Sequence, residues 1–484
     1  MTNILHKINQ LPQKQSIAYL INSPKELKEL KLEKSELDYI NKRYPEKEIK
    51  IFTFYKSNSW IIICVIPKKV SKEAHQVKEL YRKLGNKLCT FLNKEEETVI
   101  NISAKKANKE FLLSFTEGLL LSIYSFEKYK ESGKKKNKLS KVNILSDVIE
   151  AKELKELTNI VTSVHLCRDL VNEPASGLNA LEFAKIINEE SIKAKIKVEV
   201  FKKARISSLK MNALLAVNQG SKIEPTFTVL EWKPSGAKNK KPYILVGKGV
   251  MYDTGGLSLK PSDAMEAMKS DMAGAAAVFA CIRAIALNKL NIHVIGLLPA
   301  TDNRLAKEAI APGDIITMMN NKTVEVINTD AEGRLILADA LCYASKFRPE
   351  LVIDIATLTG SASRAIGKYG IIGMHEKCHK QMELLKNSGN NVYERIVELP
   401  MWDEYDEEIK SDIADIRNVG ISPNAGAITA GVFLKQFTSY PWIHLDIASM
   451  GFMESKENYI GKGGSGVGVR LFYDFLKHKA KTTK

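Results

Sequence analysis

Asn328-Thr329-Asp330-Ala331-Glu332-Gly333-Arg334-Leu335-Ile336 is the stretch from which the rest of the chain can be read. Two carboxylates alternate just past a segment, Val324-Glu325-Val326-Ile327, that reads as a strand, and a glycine and a fixed positive charge follow at once. On extended backbone residues i and i+2 point the same way, so Asp330 and Glu332 are expected to face one point in space. Two carboxylates side by side repel each other and lose hydration. A divalent cation between them relieves both costs. An isolated D-x-E is more often a solvated acidic turn, with Arg334 as a surface ion-pair partner. That reading loses here because a matching segment lies upstream.

The upstream segment is Val246-Gly-Lys248-Gly-Val-Met-Tyr-Asp253-Thr-Gly-Gly-Leu-Ser-Leu-Lys260-Pro261, continuing through Met265 and Met268 to Asp271-Met-Ala-Gly-Ala-Ala-Ala. Tyr243-Ile-Leu-Val246 reads as a short buried strand, and Gly247, Gly249, Gly255 and Gly256 break the loop after it. Glycine lets backbone take positive φ and approach a ligand closely. Asp271 is expected to open a long apolar helix over about 273–287, where a carboxylate also suits the helix dipole. Taken singly, Asp271 is an ordinary helix-start acid and Lys248 a strand-end surface lysine. Beside an Asp-Thr-Gly-Gly turn and the Asp330/Glu332 pair, the joint coincidence is remote.

A hydrolytic site needs an activated water, a polarised electrophile and a proton carrier. Two divalent ions held by carboxylates can share a bridging water, and one bound zinc alone can bring the pKa of water to about 7. Asp253 and Glu332, one from each motif, are the expected bridging ligands. Lys260, beyond the Asp253 turn and followed by proline, is expected to stay cationic and stabilise a developing oxyanion. Arg334 cannot act as a base; its fork suits a planar bidentate anion or, alternatively, clamps Glu332 or Asp253. A site of oxygens with one amine favours hard or borderline ions: manganese, zinc or magnesium.

Together the two segments closely resemble the leucyl aminopeptidase (cytosol aminopeptidase) family of two-metal exopeptidases. The resemblance is carried by residues 328–335 and 246–276. It extends more weakly through Arg168-Asp-Leu-Val-Asn172-Glu-Pro174, Asp354-Ile-Ala-Thr-Leu-Thr-Gly360, Ala414-Asp-Ile-Arg-Asn-Val-Gly420, Gly426-Ala-Ile-Thr-Ala-Gly431 and Trp442-Ile-His-Leu-Asp446. It implies release of N-terminal, leucine-like residues from short peptides, with Asp253, Asp330 and Glu332 around one metal and Lys248, Asp253, Asp271 and Glu332 around the other. Lys248 would then bind as the neutral amine, far from its ordinary pKa of about 10.4. The resemblance further implies a bicarbonate at Arg334, a side-chain pocket lined by Met268 and rimmed by Thr357, Leu358 and Gly360, and a homohexamer built as a dimer of trimers. The chain departs from the family at Met251-Tyr252, where threonine and phenylalanine are usual, and at Ser361-Ala-Ser-Arg364-Ala-Ile, which replaces a more apolar run. Those changes bear on selectivity.

Other chemistries find less support. None of the eight histidines falls inside a metal motif, and Cys378-His379 has no second pair at usable spacing, so it reads as surface or packing chemistry. Gly461-Lys-Gly463-Gly-Ser-Gly466 has dinucleotide-loop spacing but follows no predicted strand and reads as a plain loop. There is no Gly-x-Ser-x-Gly elbow.

At 484 residues two domains are expected, each with ample apolar content for a core. The patterning predicts an α/β protein of two α/β domains, the C-terminal catalytic one a mixed sheet flanked by helices. The predicted limits are a basic, non-catalytic domain over 1–150, a connecting helix and linker over 151–175, and the catalytic domain over 176–484. A helix over 111–129 and the charge run Lys130-Glu-Ser-Gly-Lys-Lys-Lys-Asn-Lys precede the boundary, and residues 477–484 read as a frayed tail. The metal motifs fall past strand ends and at helix starts, where wound sheets keep their ligands. The apolar run 60–67 is too short to span a bilayer, the N-terminus lacks a signal-peptide core, and six irregularly spaced cysteines suit a reducing cytoplasm. Residues 1–150 carry 29 Lys and Arg against 18 Asp and Glu, a surplus of 11, and residues 151–484 carry 43 against 38, a surplus of 5. Nucleic-acid binding by the basic half is therefore conceivable, but a lysine-rich solvated surface with no partner is the favoured reading.

Overall fold

The computed structural model describes residues 4–104, 107–131 and 137–482. The chain forms two compact α/β units, one of Met1–His165 with Ser455–Gly461 and one of Leu166–Glu454 with Lys462–Lys484. The division falls inside the helix Ala151–Asn172, within the predicted connecting segment 151–175. The charge run gave a misleading cue: its centre, residues 132–136, lies outside the described residues, and the segment just after it, Lys141–Leu145, is a strand of the first unit's sheet.

In the first unit six strands lie in the order Leu5–Ile8, Lys141–Leu145, Val99–Ser103, Ile17–Ile21, Ser59–Val65 and Lys50–Lys56. All neighbours are parallel except the last pair, Lys50–Lys56 and Ser59–Val65, which a tight turn at Ser57 and Asn58 makes antiparallel. The buried Asn101 and Asn143 would be costly unpaired. They bridge the ladder instead: Asn143 Nδ2 donates to Asn101 Oδ1 at 2.8 Å, and Asn101 Nδ2 donates to Ser16 O at 3.1 Å. The helices Ala74–Lys94 and Lys109–Ser122 cross where Gly85 and Gly118 meet: a Cβ on either would come within 2.1 Å of the opposing backbone. The second helix ends at Ser122, well short of the predicted 129.

The second unit is built on a nine-stranded mixed sheet. Its main path runs Ile396–Glu398, Ile371–Glu376, Trp442–Asp446, Leu351–Ala356, Tyr243–Gly247, Val294–Asn303, Thr226–Trp232 and Lys197–Phe201, with Gly249–Asp253 pairing alongside Val294–Asn303. The four central strands of that path are parallel. Alternation along them sends Ile244, Val246, Ile295 and Leu297 to one face, where they pack with the helix Glu332–Ala344. The other face carries the helix Ala273–Leu287, whose small residues let it lie close: a Cβ on Gly247 would meet Ala275 Cα at 2.5 Å, and one on Gly274 would meet Ile355 O at 2.1 Å. Although Ser262–Leu287 is apolar enough by composition to cross a membrane, 89% of its most apolar window is buried inside the protein.

Several local expectations are corrected. The glycine-broken segment after Val246 is largely a strand, Gly249–Asp253, because its backbone finds a partner in residues 300–303. Of the predicted strand 324–327 only Val324 and Glu325 lie in one, Thr323–Glu325 of a separate three-stranded sheet; Ile327 N–H turns instead to Asn418 Oδ1 at 2.8 Å. Gly461–Gly464 is itself a strand, paired with Phe452–Glu457. Residues 477–482 of the supposed tail are the last turns of the helix Val469–Thr482, which is anchored by the buried Phe472, Phe475 and Leu476, and residues 483–484 lie outside the described residues.

Candidate metal centre

Three neighbouring parallel strands, Tyr243–Gly247, Val294–Asn303 and Leu351–Ala356, end at one place, and the helices Ala273–Leu287 and Glu332–Ala344 begin there. A doubly wound sheet keeps its ligands at such a crevice. Lys248 follows the first strand directly; its N–H bonds Ile355 O at 3.1 Å and its own carbonyl accepts from Ala275 N–H at 2.9 Å. Asp253 closes the strand Gly249–Asp253 after a register shift between Val250 and Asp253, and such bulges re-aim side chains. The turn that follows needs positive φ at Gly255 (+84°) and Gly256 (+64°), and Gly255 N–H donates to Asp253 Oδ1 at 2.8 Å.

Asp330 and Glu332 do converge, but not on extended backbone. Thr329–Ala331 is a single 3-10 turn capped by Asn328, whose Oδ1 accepts Asp330 N–H at 2.8 Å, and Glu332 is the first residue of its helix. Asp271 likewise sits in the turn before its helix, not within it. Asp253, Asp330 and Glu332 each offer an oxygen within 4.8 Å of the others. Lys248 Nζ lies 2.8 Å from Asp271 Oδ2 and 3.0 Å from Glu332 Oε1. Lys260 Nζ lies 2.8 Å from Asp253 Oδ2 and 2.5 Å from Asp330 Oδ1. The five expected ligands and Lys260 are therefore one cluster.

Its electrostatics are severe. Lys248, Asp253, Asp271 and Glu332 are all buried. Burial, reinforced by Asp253, pushes the Glu332 carboxyl up to about 8 and the Asp271 carboxyl up to about 6, and raises Asp330 as well. Burial pulls down both Lys248 and Lys260, but the surrounding carboxylates outweigh it, and both ammonium groups end above the usual lysine range. Four carboxylates around two ammonium groups leave a formal surplus of two negative charges. The buried oxygens Asp271 Oδ2, Asp330 Oδ1 and Glu332 Oε1 meet the lysines as charges without aligned hydrogen bonds. Surplus negative charge and unaligned carboxylate oxygens make a donor set that fits divalent cations. Ligation by Lys248 Nζ requires that a cation displace its proton.

Cation uptake should therefore release protons from Glu332, Asp271 and Lys248. For the carboxyls, protons and cations compete for the same oxygens, so binding should weaken as pH falls from about 8 through about 6. Calorimetric titration with manganese in buffers of different ionisation enthalpy reads the release directly; a heat independent of buffer would contradict it.

Other side chains escape sequence reading. Asn303 Nδ2 donates to Asp253 Oδ1 at 2.8 Å and to Thr329 O at 3.1 Å, and it lies 3.5 Å from Glu332 Oε2. Its only signal was a polar pair, Asp302-Asn303, ending an apolar strand. Thr357, expected as pocket rim, also braces the centre: its Oγ1 donates to Asp271 Oδ1 at 2.8 Å and its carbonyl accepts from Lys248 Nζ at 3.0 Å. Thr329 Oγ1 donates to Gly255 O at 2.6 Å and ties the two motifs together. Arg334 makes its hydrogen bond from Nη1 to Asn418 O at 2.7 Å rather than clamping a ligand, and burial pulls its pKa down to about 10. Met268 and Leu358 are half-buried, and Gly360 is exposed beside Arg364, whose Nη2 donates to Ser361 Oγ.

The model of the cytosol aminopeptidase family, catalytic domain, matches residues 165–473. The chain belongs to the cytosol aminopeptidase family. A probable cytosol aminopeptidase of Chlorobium phaeobacteroides is 44% identical over 395 residues, 78% of this chain and 77% of the relative. Another from Phytoplasma australiense is 38% identical over 423 residues, 86% and 85% of the two chains. Among solved structures, the bottromycin maturation enzyme BotP in complex with Mn superposes with a TM-score of 0.84 at 26% identity, covering 96% of this chain and 99% of that one. As a cytosol aminopeptidase family member, the protein is a metal-dependent peptide hydrolase of mixed α/β fold, with its catalytic domain in the C-terminal part.

Proposed function

We propose that this aminopeptidase uses two divalent ions to release apolar, leucine-like N-terminal residues from short peptides. The observation that carries the reading is the convergence of the buried Lys248, Asp253, Asp271 and Glu332 and the half-buried Asp330 into one cluster. Asp253 and Glu332 are the proposed shared ligands, with Asp330 completing one position and Lys248 and Asp271 the other. Manganese or zinc there, with magnesium as a further choice, would polarise the scissile carbonyl and acidify a water.

The protein's own groups divide the remaining work. The Lys260 ammonium, held within 2.8 Å of Asp253 Oδ2, brings a fixed positive charge to the developing oxyanion. Arg334 keeps Nε buried without a hydrogen-bond partner, so part of its fork is uncommitted, which supports binding of a planar anion such as bicarbonate. Asn303 and Thr357 orient Asp253 and Asp271, as second partners do for ligating carboxylates. Met268, Leu358, Gly360 and the methyl of Thr357 are the proposed receivers of the N-terminal side chain; a flexible thioether accepts branched and unbranched apolar groups alike. Six free cysteines, five of them buried, suit a reducing cytoplasm. A homohexamer, as a dimer of trimers, is proposed from the family and is read by analytical ultracentrifugation.

Chelation should abolish release of leucine from a leucyl anilide, and manganese or zinc should restore it. Full activity in protein shown by elemental analysis to be metal-free would refute the mechanism. Faster turnover of aspartyl than leucyl anilide would refute only the preference.

A further inference from the structure

We propose that His375, His379 and Glu398 form a second cation site, of the two-imidazole, one-carboxylate type that takes zinc, on the rim of the same unit. One donor atom from each of the three residues lies within 4.8 Å of the other two. They come from three elements. His375 is near the end of the strand Ile371–Glu376, His379 is the first residue of the helix His379–Val392, and Glu398 ends the edge strand Ile396–Glu398.

The fold brings them together for definite reasons. The two strands are parallel with Gly373 opposite Glu398, so His375, two residues on, projects from the same face as Glu398. The helix lies over that face: a Cβ on Gly373 would stand 3.0 Å from Met382 Cε. Between strand and helix the chain reverses through Lys377 at φ +58° and Cys378, which returns His379 to His375 with ring centroids 5.6 Å apart. Cys378 is not a donor to this cluster. Its Sγ is buried on Trp442 O at 3.0 Å, so the adjacent pair in the sequence splits, and only its histidine faces the cluster.

The polar groups are arranged for a ligand. Glu398 Oε2 faces Lys386 Nζ at 3.5 Å, itself paired with Glu383 at 2.7 Å, which orients the carboxylate and leaves Oε1 toward His375 Nε2 at 3.2 Å. A plain His375–Glu398 pair uses one ring nitrogen and leaves Nδ1 buried with no hydrogen-bond partner. Nor does such a pair account for the second imidazole beside it. Tetrahedral zinc with bonds of about 2.0–2.1 Å places donors roughly 3.3 Å apart. Donor atoms that already lie within 4.8 Å of one another stand near that spacing. Three protein donors on a partly exposed rim leave a position for water, and the bound ion would fasten the edge strand and the helix start to the strand Ile371–Glu376. His379 is exposed, so its replacement does not disturb a core.

The test uses the full-length chain, stripped with chelator and dialysed to equilibrium against Zn2+ at neutral pH, with zinc counted by elemental analysis. His379→Gln and Glu398→Gln should each lower the zinc content by one ion per chain and leave anilide hydrolysis unchanged. In Glu332→Gln, which removes a proposed ligand of the catalytic cluster, the His379-dependent ion should remain, together with a zinc-induced rise in Tm that the added His379→Gln abolishes. Equal zinc content in the wild-type and His379→Gln proteins overturns the proposal. A chain that loses the catalytic ions yet keeps the His379-dependent one sustains it, whatever becomes of the peptidase mechanism.

Discussion

Lys260→Ala should lower kcat by about 10²–10³-fold, the scale set by removing one preorganised oxyanion donor, while the protein keeps its fold and its metal. Lys260 is only half-buried and sits on a turn rather than in a helix or strand, so truncation leaves no deep cavity. It does leave Asp253 and Asp330 without the ammonium that lies 2.8 and 2.5 Å from them. Removing that positive charge strengthens the field that draws cations in, so manganese affinity should hold or rise as kcat falls. That split separates two roles. If kcat and metal content fall together and excess manganese restores both, Lys260 serves only to balance charge.

Glu332→Gln should be at least as damaging, through binding rather than turnover. Glu332 is 2% exposed and touches Lys248 and the Asn303 amide, and its carboxyl is raised to about 8 by burial and Asp253. The amide keeps the shape but removes a charge that both proposed metal positions share. Even partners that merely stand behind a ligand alter metal affinity or activity by about 10–100-fold when lost, so a shared ligand should cost about 100-fold or more in manganese affinity. The metal-free variant should be no less stable than the metal-free wild type. The sign follows from linkage: the folded state holds the Glu332 proton up to about 8, above its ordinary 4.5, so folding grows less favourable as pH rises through that interval. A neutral amide removes that penalty. Unchanged manganese affinity by calorimetry would refute the assignment.

How much of this was legible in the sequence depends on the range of the forces involved. The helix Ala273–Leu287 was legible to the residue because its apolar run is long and unbroken. The chemical identities of the cluster were legible because each motif carries them in a few consecutive positions. Its geometry was not. Asp330 and Glu332 meet across a helix start, where the 3-10 turn and its Asn328 cap replace the extended backbone that alternation suggested. Asn303, Thr329 and Asn418 act on groups 26 to 91 residues away, and no local pattern marks such partners. The short strands Leu5–Ile8 and Ile17–Ile21 were missed because four or five residues carry too little periodicity to register. Of the two neighbours of His379, His375 stands only four residues before it and is legible in the sequence, whereas Glu398 reaches it only through a register between two strands.

The return of Ser455–Gly461 to the first unit has a consequence for how the protein can be divided. Two beads on a string could be expressed separately after one cut, but here a gene truncated near residue 165 would omit Tyr459. That ring is among the largest fully buried side chains, and its hydroxyl reaches Glu79 Oε2 at 2.8 Å. The amino-terminal unit therefore lacks a piece of its own interior until synthesis has passed residue 461. Ribosomes must make the intervening residues 166–454 of the catalytic unit first, which ties maturation of the basic unit to synthesis of the catalytic one.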